Sequence, residues 1–263
     1  MRTSGVIRIV ATIVILSAIM LIQPGCAKKM SIIYFTDSTN NFLGEAMDNM
    51  GYKYVTTYSF LDFADAFVND AWDLVVFDNR HIGVLPIYAE PVFQALWYYI
   101  MQGGKVLIST PYLEESDFEI IWGALGYKYV SSSAAPINVY RLNAASEFWN
   151  EPEEAPDMNF TGATDLFGSG QMNAFKGSAY DSGVKMATFN QSIPGDLNSG
   201  AVFVANGGRT ILNAFFLDDA VRAGLPIDND SDGTADAVEW YMDELFALEQ
   251  VPGEKVGPTP PGP

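Results

Sequence analysis

The sequence is short of the residues on which most enzymes and nucleic-acid-binding proteins rely. It has one Cys and one His in 263 residues. A disulfide within the chain is therefore impossible, and so is a zinc site built from several cysteines. Any His-based metal site or Ser-His-Asp arrangement would rest on His81 alone. Basic residues are scarce: 14 Lys and Arg stand against 32 Asp and Glu, a net charge of -18. Such a chain has no surface that grips a phosphate backbone, so nucleic acid is excluded as an expected partner. No phosphate-cradling glycine loop or dinucleotide fingerprint is present. What is abundant is apolar: 49% of residues are hydrophobic and 13% aromatic, a composition that folds. The length allows one large domain or two small ones.

The first segment reads as an address. Met1 to Gly25 contains no acidic residue, and Arg2 and Arg8 precede an apolar run from Val10 to Ile22. That run suits a secretory leader and is short for a membrane span, which needs ~20 residues. Gln23-Pro24-Gly25-Cys26 follows, and a small residue before the lone Cys resembles the bacterial lipobox. The resemblance implies that residues 1–25 are a lipoprotein signal peptide and that Cys26 carries a lipid anchor to a membrane. It implies an extracytoplasmic location, at the cell surface or in the periplasm. Gln23 departs from the apolar residue usual at its position. Loss of Arg2 and Arg8 with the leader leaves 12 basic against 32 acidic residues, a net -20.

Residues 26–30 then form a short tether, and residues 31–249 read as one α/β domain. Apolar, β-branched runs at Ser31–Thr36, Tyr52–Thr57, Trp72–Phe77, Lys105–Ser109 and Tyr127–Val130 predict strands. Between them, helical spacing covers 42–50, 60–68, 88–101 and 113–125. Gly51 and Gly126 are expected helix stops. The words Gly51-Tyr-Lys-Tyr-Val55 and Gly126-Tyr-Lys-Tyr-Val130 are identical, as two helix-stop-plus-strand units would be. Alternating units of this length predict a parallel sheet covered on both faces by helices. Beyond residue 131 the pattern loosens. Strands are expected at 137–142, 173–176 and 185–190, with an acidic loop at 150–157. A hairpin is expected where 201–205 meets 209–216 across Asn206-Gly207-Gly208. A helix over 235–248 closes the domain. Residues 250–263, rich in Pro and Gly, are expected to form a disordered tail.

This order resembles the class I glutamine amidotransferase-like, flavodoxin-like domains of secreted bacterial proteins. Ile32–Asp37 is similar to their opening strand and Asp73–Asp78 to their strand with an acidic lead. Gln102-Gly-Gly-Lys-Val-Leu-Ile-Ser109 is similar to their glycine-led fourth strand, and Gly207–Phe216 to a late strand of the same kind. The resemblance implies a three-layer, doubly wound, mostly parallel sheet with a β-rich insertion and a C-terminal helix. Enzymes of this superfamily place a nucleophilic Cys on the turn after the fourth strand, with a His downstream. Here that turn reads Ser109-Thr110-Pro111, and no His follows position 81. The resemblance therefore implies a scaffold without amidotransferase activity, a pseudo-enzyme.

The strongest chemical signal is Asp228-Asn-Asp230-Ser-Asp232-Gly233-Thr234-Ala-Asp236-Ala-Val-Glu239. Carboxylates fall at positions 1, 3, 5, 9 and 12 and Gly at 6, the spacing of a twelve-residue Ca²⁺ loop. Alternate residues of a tight turn can point oxygens inward, and Thr234 would add its backbone carbonyl. No helix is expected before the loop, which suits an isolated extracellular calcium loop. The bland alternative is an acidic turn capping a helix.

Weaker candidates lie where strands end, since open α/β sheets bind ligands beyond their carboxyl ends. That rule puts Asp37, Ser38, Asp78, Arg80, His81, Thr110 and Tyr112 on one possible ligand rim, with Thr39, Asn40, Asn79 and Glu114 beside them. The alternative is that these residues cap helices and close turns. Asp218 and Asp219 are expected to join the calcium region or cap a turn. Phe148 and Trp149 are expected to be buried anchors or a sugar-stacking pair. The expected function is a non-catalytic, calcium-stabilised envelope domain that binds a protein or glycan partner. The alternatives are a structural subunit of an envelope assembly, or a hydrolase using the strand-end acids and His81.

Overall fold

The computed structural model describes residues 30–80, 85–135, 138–163, 172–191 and 196–257. The expected signal peptide, Cys26 and His81 fall outside these residues. Among the described residues no helix is long and apolar enough to cross a membrane.

Short apolar runs build the centre. β1 (Ile32–Thr36), β3 (Leu74–Asp78) and β4 (Val106–Ser109) are buried at every position. β2 (Tyr54–Thr57) is half exposed and forms the edge. β1 pairs in parallel with both β2 and β3, and β3 with β4. The crossovers are α1 (Phe42–Asn49), α2 (Phe60–Asn69) and α3 (Ala89–Met101). The Ser59 hydroxyl accepts the Asp62 N–H at 3.1 Å and caps α2.

Side chains alternate across this sheet and feed two cores. Ile32, Tyr34, Leu74 and Val76 face α1 and the closing helix α5 (Asp236–Gln250). Ile33, Phe35, Val75 and Phe77 face α2, α3 and the short α4 (Glu119–Ala124). Phe35 and Phe77 stack at 4.5 Å and meet Phe60 and Phe63 edge-on. The result is the three-layer α/β architecture expected.

The remaining strands extend the sheet. They are β5 (Tyr127–Ala135), β6 (Asn138–Arg141), β7 (Met158–Asn159), β8 (Met172–Ala179), β9 (Val184–Thr188), β10 (Gly200–Ala205) and β11 (Thr210–Asn213). The main path runs β2-β1-β3-β4-β11-β10-β9-β6-β7, with β8 pairing β10 and β5. β10 and β11 form the expected antiparallel hairpin. Asn206, Gly207 and Gly208 all have positive φ at its turn.

Two expectations need correction. Tyr127–Val130 is not a fifth parallel strand; β5 runs antiparallel to β8. The parallel place beside β4 belongs to β11. β11 is buried at every position, whereas Lys128 and Val130 leave β5 exposed, so β11 is the strand that tolerates the sheet's middle. The two Gly-Tyr-Lys-Tyr-Val copies thus share a helix stop, with φ 72° at Gly51 and 76° at Gly126, and then diverge. The expected helix over 113–125 is two 3₁₀ turns, Pro111–Glu114 and Ser116–Phe118, before α4. Glu115 is extended between them and breaks the ladder.

The start of the expected tail is held down. Val256 is buried, and its carbonyl accepts the Trp72 N–H at 3.3 Å.

Candidate metal centre and strand-end rim

The acidic loop hangs between a small hairpin and α5. β12 (Val221–Arg222) and β13 (Leu225–Pro226) precede it, so no helix leads in. Its neck is closed by backbone bonds: Ile227 N–H to the Ala220 carbonyl at 2.9 Å, and Asp236 N–H to the Ile227 carbonyl at 3.0 Å. Inside, carboxylates organise the turns. Asp228 accepts the N–H groups of Ser231 at 2.6 Å and Gly233 at 3.1 Å. Asp230 accepts that of Asp232 at 3.2 Å, and Asp232 that of Thr234 at 2.7 Å. Asp236 accepts the Asn229 N–H at 2.8 Å and its amide as well. Gly233 sits at φ 101°, where a side chain would strain the turn.

These turns bring the carboxylates together. Oxygens of Asp228, Asp230 and Asp236 lie within 4.8 Å of one another, and so do those of Asp230, Asp232 and Glu239. Asp230 is common to both groups. Glu239, in the first turn of α5, is only 1% exposed, and its Oε2 has no hydrogen-bond partner among the described residues. Burial, then the charges of Asp230, Asp232 and Asp236, push its carboxyl up to about 8. Burial also raises Asp236, against the pull of its Asn229 bonds. A cation among these oxygens would reverse that repulsion.

The rim is built differently. In-register pairing aligns Thr36, Asp78, Ser109 and Asn213 across β1, β3, β4 and β11. Arg80, just past β3, is buried to 3% exposure. Its guanidinium meets Asp218 at 2.5 Å, pairs closely with Asp219, and donates to the Thr39 hydroxyl at 2.8 Å. Its own N–H and the Asn79 amide donate to Asp37 at 2.6 and 2.7 Å. The Ser38 hydroxyl donates to the Asn40 carbonyl at 2.8 Å, and Asn40 N–H to Asp218 at 2.9 Å. Thr110 donates to Asn79 at 3.2 Å, and Tyr112 packs edge-on to Phe93. Asp78 is raised well above the ordinary carboxylate range, first by burial and then by Asp218 and Asp37. Asp78, Asn79, Arg80 and Thr110 converge as a buried polar plug with Asp37, Ser38 and Asn40 half-buried at its edge, while Glu114 is exposed and turned to Ser132 and Tyr129. Asp218 and Asp219 serve Arg80 rather than the acidic loop.

No protein-family model matches the chain, and no curated protein matches it. Among solved structures, a ThuA-like protein from Bacteroides uniformis superposes with a TM-score of 0.50 at 9% identity, covering 85% of this chain and 93% of its own. A glutamine amidotransferase from Thermotoga maritima superposes at 0.47 and 9% identity, covering 85% and 99%. The α/β fold is similar to that of the ThuA-like structure. At this identity the likeness concerns fold alone.

The turn after β4 is tied to its surroundings. Ser109 donates to the Phe215 carbonyl at 3.1 Å, and Thr110 accepts the Tyr112 N–H at 3.5 Å. Trp149 is fully buried, 4.5 Å from Trp240, with its indole N–H on the Leu142 carbonyl. It packs the start of the 150–157 loop against α5 and offers no stacking face. Sequence reasoning missed a second set of acids on α5. Asp243 and Glu244 are fully buried, and both are raised to about 8 by burial. Glu244 accepts the Asn213 amide at 2.9 Å. Two adjacent acids in the middle of α5, between Met242 and Leu245, were the available signal.

Proposed function

We propose that this chain is a non-catalytic, calcium-stabilised domain, exported by the leader of residues 1–25 and anchored to a membrane by a lipid on Cys26, that binds a protein or glycan partner at the cell envelope. The observation that carries the reading is Glu239. A carboxylate almost wholly buried, with an unpartnered oxygen and two aspartates within 4.8 Å, is costly unless a cation sits among them. Asp228, Asp230, Asp232, the Thr234 carbonyl, Asp236 and Glu239 would hold the ion. An all-oxygen donor set suits Ca²⁺. Bound Ca²⁺ would supply positive charge that fastens the loop to the start of α5. The tied hydroxyls of Ser109 and Thr110, and the closed pairing of Arg80, support a scaffold without a reacting group at the strand ends.

The test is thermal unfolding of the full chain with Ca²⁺, with Mg²⁺ and with EDTA. Calcium raises the melting temperature and EDTA reverses the rise. An unchanged melting temperature removes calcium from the reading. For the anchor, Cys26→Ser should move the chain from the membrane fraction to the soluble one.

A further inference from the structure

On the opposite face of the sheet from the acidic loop, α3, α4 and β5 enclose a cavity of about 770 Å³. Its apolar surface comes from Trp97, Met101, Ile120 and Tyr180. Met101 and Ile120 are each 63% exposed and Tyr180 51%, an unusual amount of apolar surface in one place. Tyr180 lies directly over Gly123, where a methyl group would come within 3.3 Å of its ring. The missing side chain at 123 is what lets the ring approach α4.

The walls carry one sign of charge. Among the described residues, Glu114, Glu115, Asp117, Glu119 and Asp181 line the cavity, against Lys128 alone. Glu114 is already positioned: it accepts the Ser132 hydroxyl at 2.8 Å and the Tyr129 hydroxyl at 3.4 Å. We propose that this groove binds a cationic peptide segment of a protein partner. Lys and Arg stems lie along Trp97, Met101 and Tyr180, while their heads reach the carboxylates and the aromatic faces. A neutral glycan stacks on the same rings but gains little from five carboxylates. An anionic ligand is repelled. The proposal rests on the reading of the chain as a binding domain, and it is independent of the calcium loop across the sheet.

The test is fluorescence anisotropy with the full chain in a zwitterionic detergent. The probe is a short fluorescein-labelled peptide of alternating Lys and Phe; a Glu-Phe peptide and chitohexaose are the comparisons. The Lys-Phe peptide is expected to bind and to weaken as salt rises. The variant E114Q/E115Q/E119Q should lose roughly tenfold or more in affinity. The variant E45Q/D62N/D65N removes the same charge at exposed helix positions elsewhere and should change little. Tyr180→Ala should weaken binding without touching charge. Equal losses in the two triple variants would reduce the effect to net charge and overturn the proposal. So would no binding of the Lys-Phe peptide, or tighter binding of chitohexaose. An EDTA-insensitive melting temperature would sink the calcium reading and leave these results standing.

Discussion

Arg80 Nη1 lies 2.5 Å from Asp218 Oδ2, and both side chains are shielded from water. The pair joins the end of β3 to the turn that leads into the acidic loop. Removing one partner of such a pair leaves a buried charge without compensation, at about 3–5 kcal/mol. Here Asp218 and Asp219 both lose their cation, while Asp37 keeps the backbone N–H of residue 80. Arg80→Met should therefore destabilise the domain by that amount in urea unfolding. Adding Asp218→Asn and Asp219→Asn should recover much of the loss, because the contacts are coupled. A single substitution that costs under about 1 kcal/mol would contradict the plug.

Glu239→Gln separates two roles of one side chain. Without calcium, the substitution removes an acid held near Asp230 and Asp232, so stability should hold or rise. With calcium, it removes a ligand, so the calcium-induced shift should shrink or vanish. For an extracellular-type site of ~10⁻⁴ M, a hundredfold excess of ion stabilises by about 2.7 kcal/mol. That corresponds to roughly 5–10 °C in a domain of this size. Calorimetry of both forms with and without Ca²⁺ checks the crossing; parallel shifts in the two proteins would contradict it.

The legible parts of the chain were those where local pattern and tertiary use agree. β1 and β3 announce themselves as apolar runs because they are buried on both faces. The turn at Asn206-Gly207-Gly208 is written in residues that accept positive φ. The twelve-residue loop is visible because oxygen spacing in a tight turn is a local property. β5 was misplaced because its pairing depends on β8, some 40 residues away and weakly patterned. The rule about strand ends names Asp37, Asp78, Arg80 and Thr110 together, and hydrogen bonds place them side by side. That Asp218 and Asp219 close over Arg80 is a long-range fact with no local spelling.

Calcium affinity should depend on pH with a definite sign. Glu239 is raised to about 8, so near neutrality it is largely protonated in the absence of ion. Binding needs the carboxylate, and the proton must leave. Apparent affinity should then rise between pH 6 and pH 8, by up to about tenfold per pH unit for one displaced proton. Calorimetric titration in buffers of different ionisation enthalpy would count the released protons. A pH-independent affinity, with no proton release, would rule out Glu239 as the titrating ligand.

The closing helix makes a second pH prediction that needs no ion. Glu244 is fully buried, its only described polar partner is the Asn213 amide, and burial raises it to about 8 from an ordinary 4.5. Its folded pKa exceeds the unfolded one, so its contribution to stability is complete below about 4.5. That contribution is lost as pH rises toward 8, because the unfolded chain ionises while the folded one holds its proton. Asp243, also raised to about 8, acts in the same direction. In EDTA, unfolding free energy should fall across pH 5 to 8, with at most about 1.4 kcal/mol per pH unit from Glu244. Glu244→Gln keeps an acceptor for Asn213 and removes the titration, so its curve should be flatter over the same window. If the two proteins trace parallel curves in urea unfolding, Glu244 is ionised in the fold and the account of its burial is wrong.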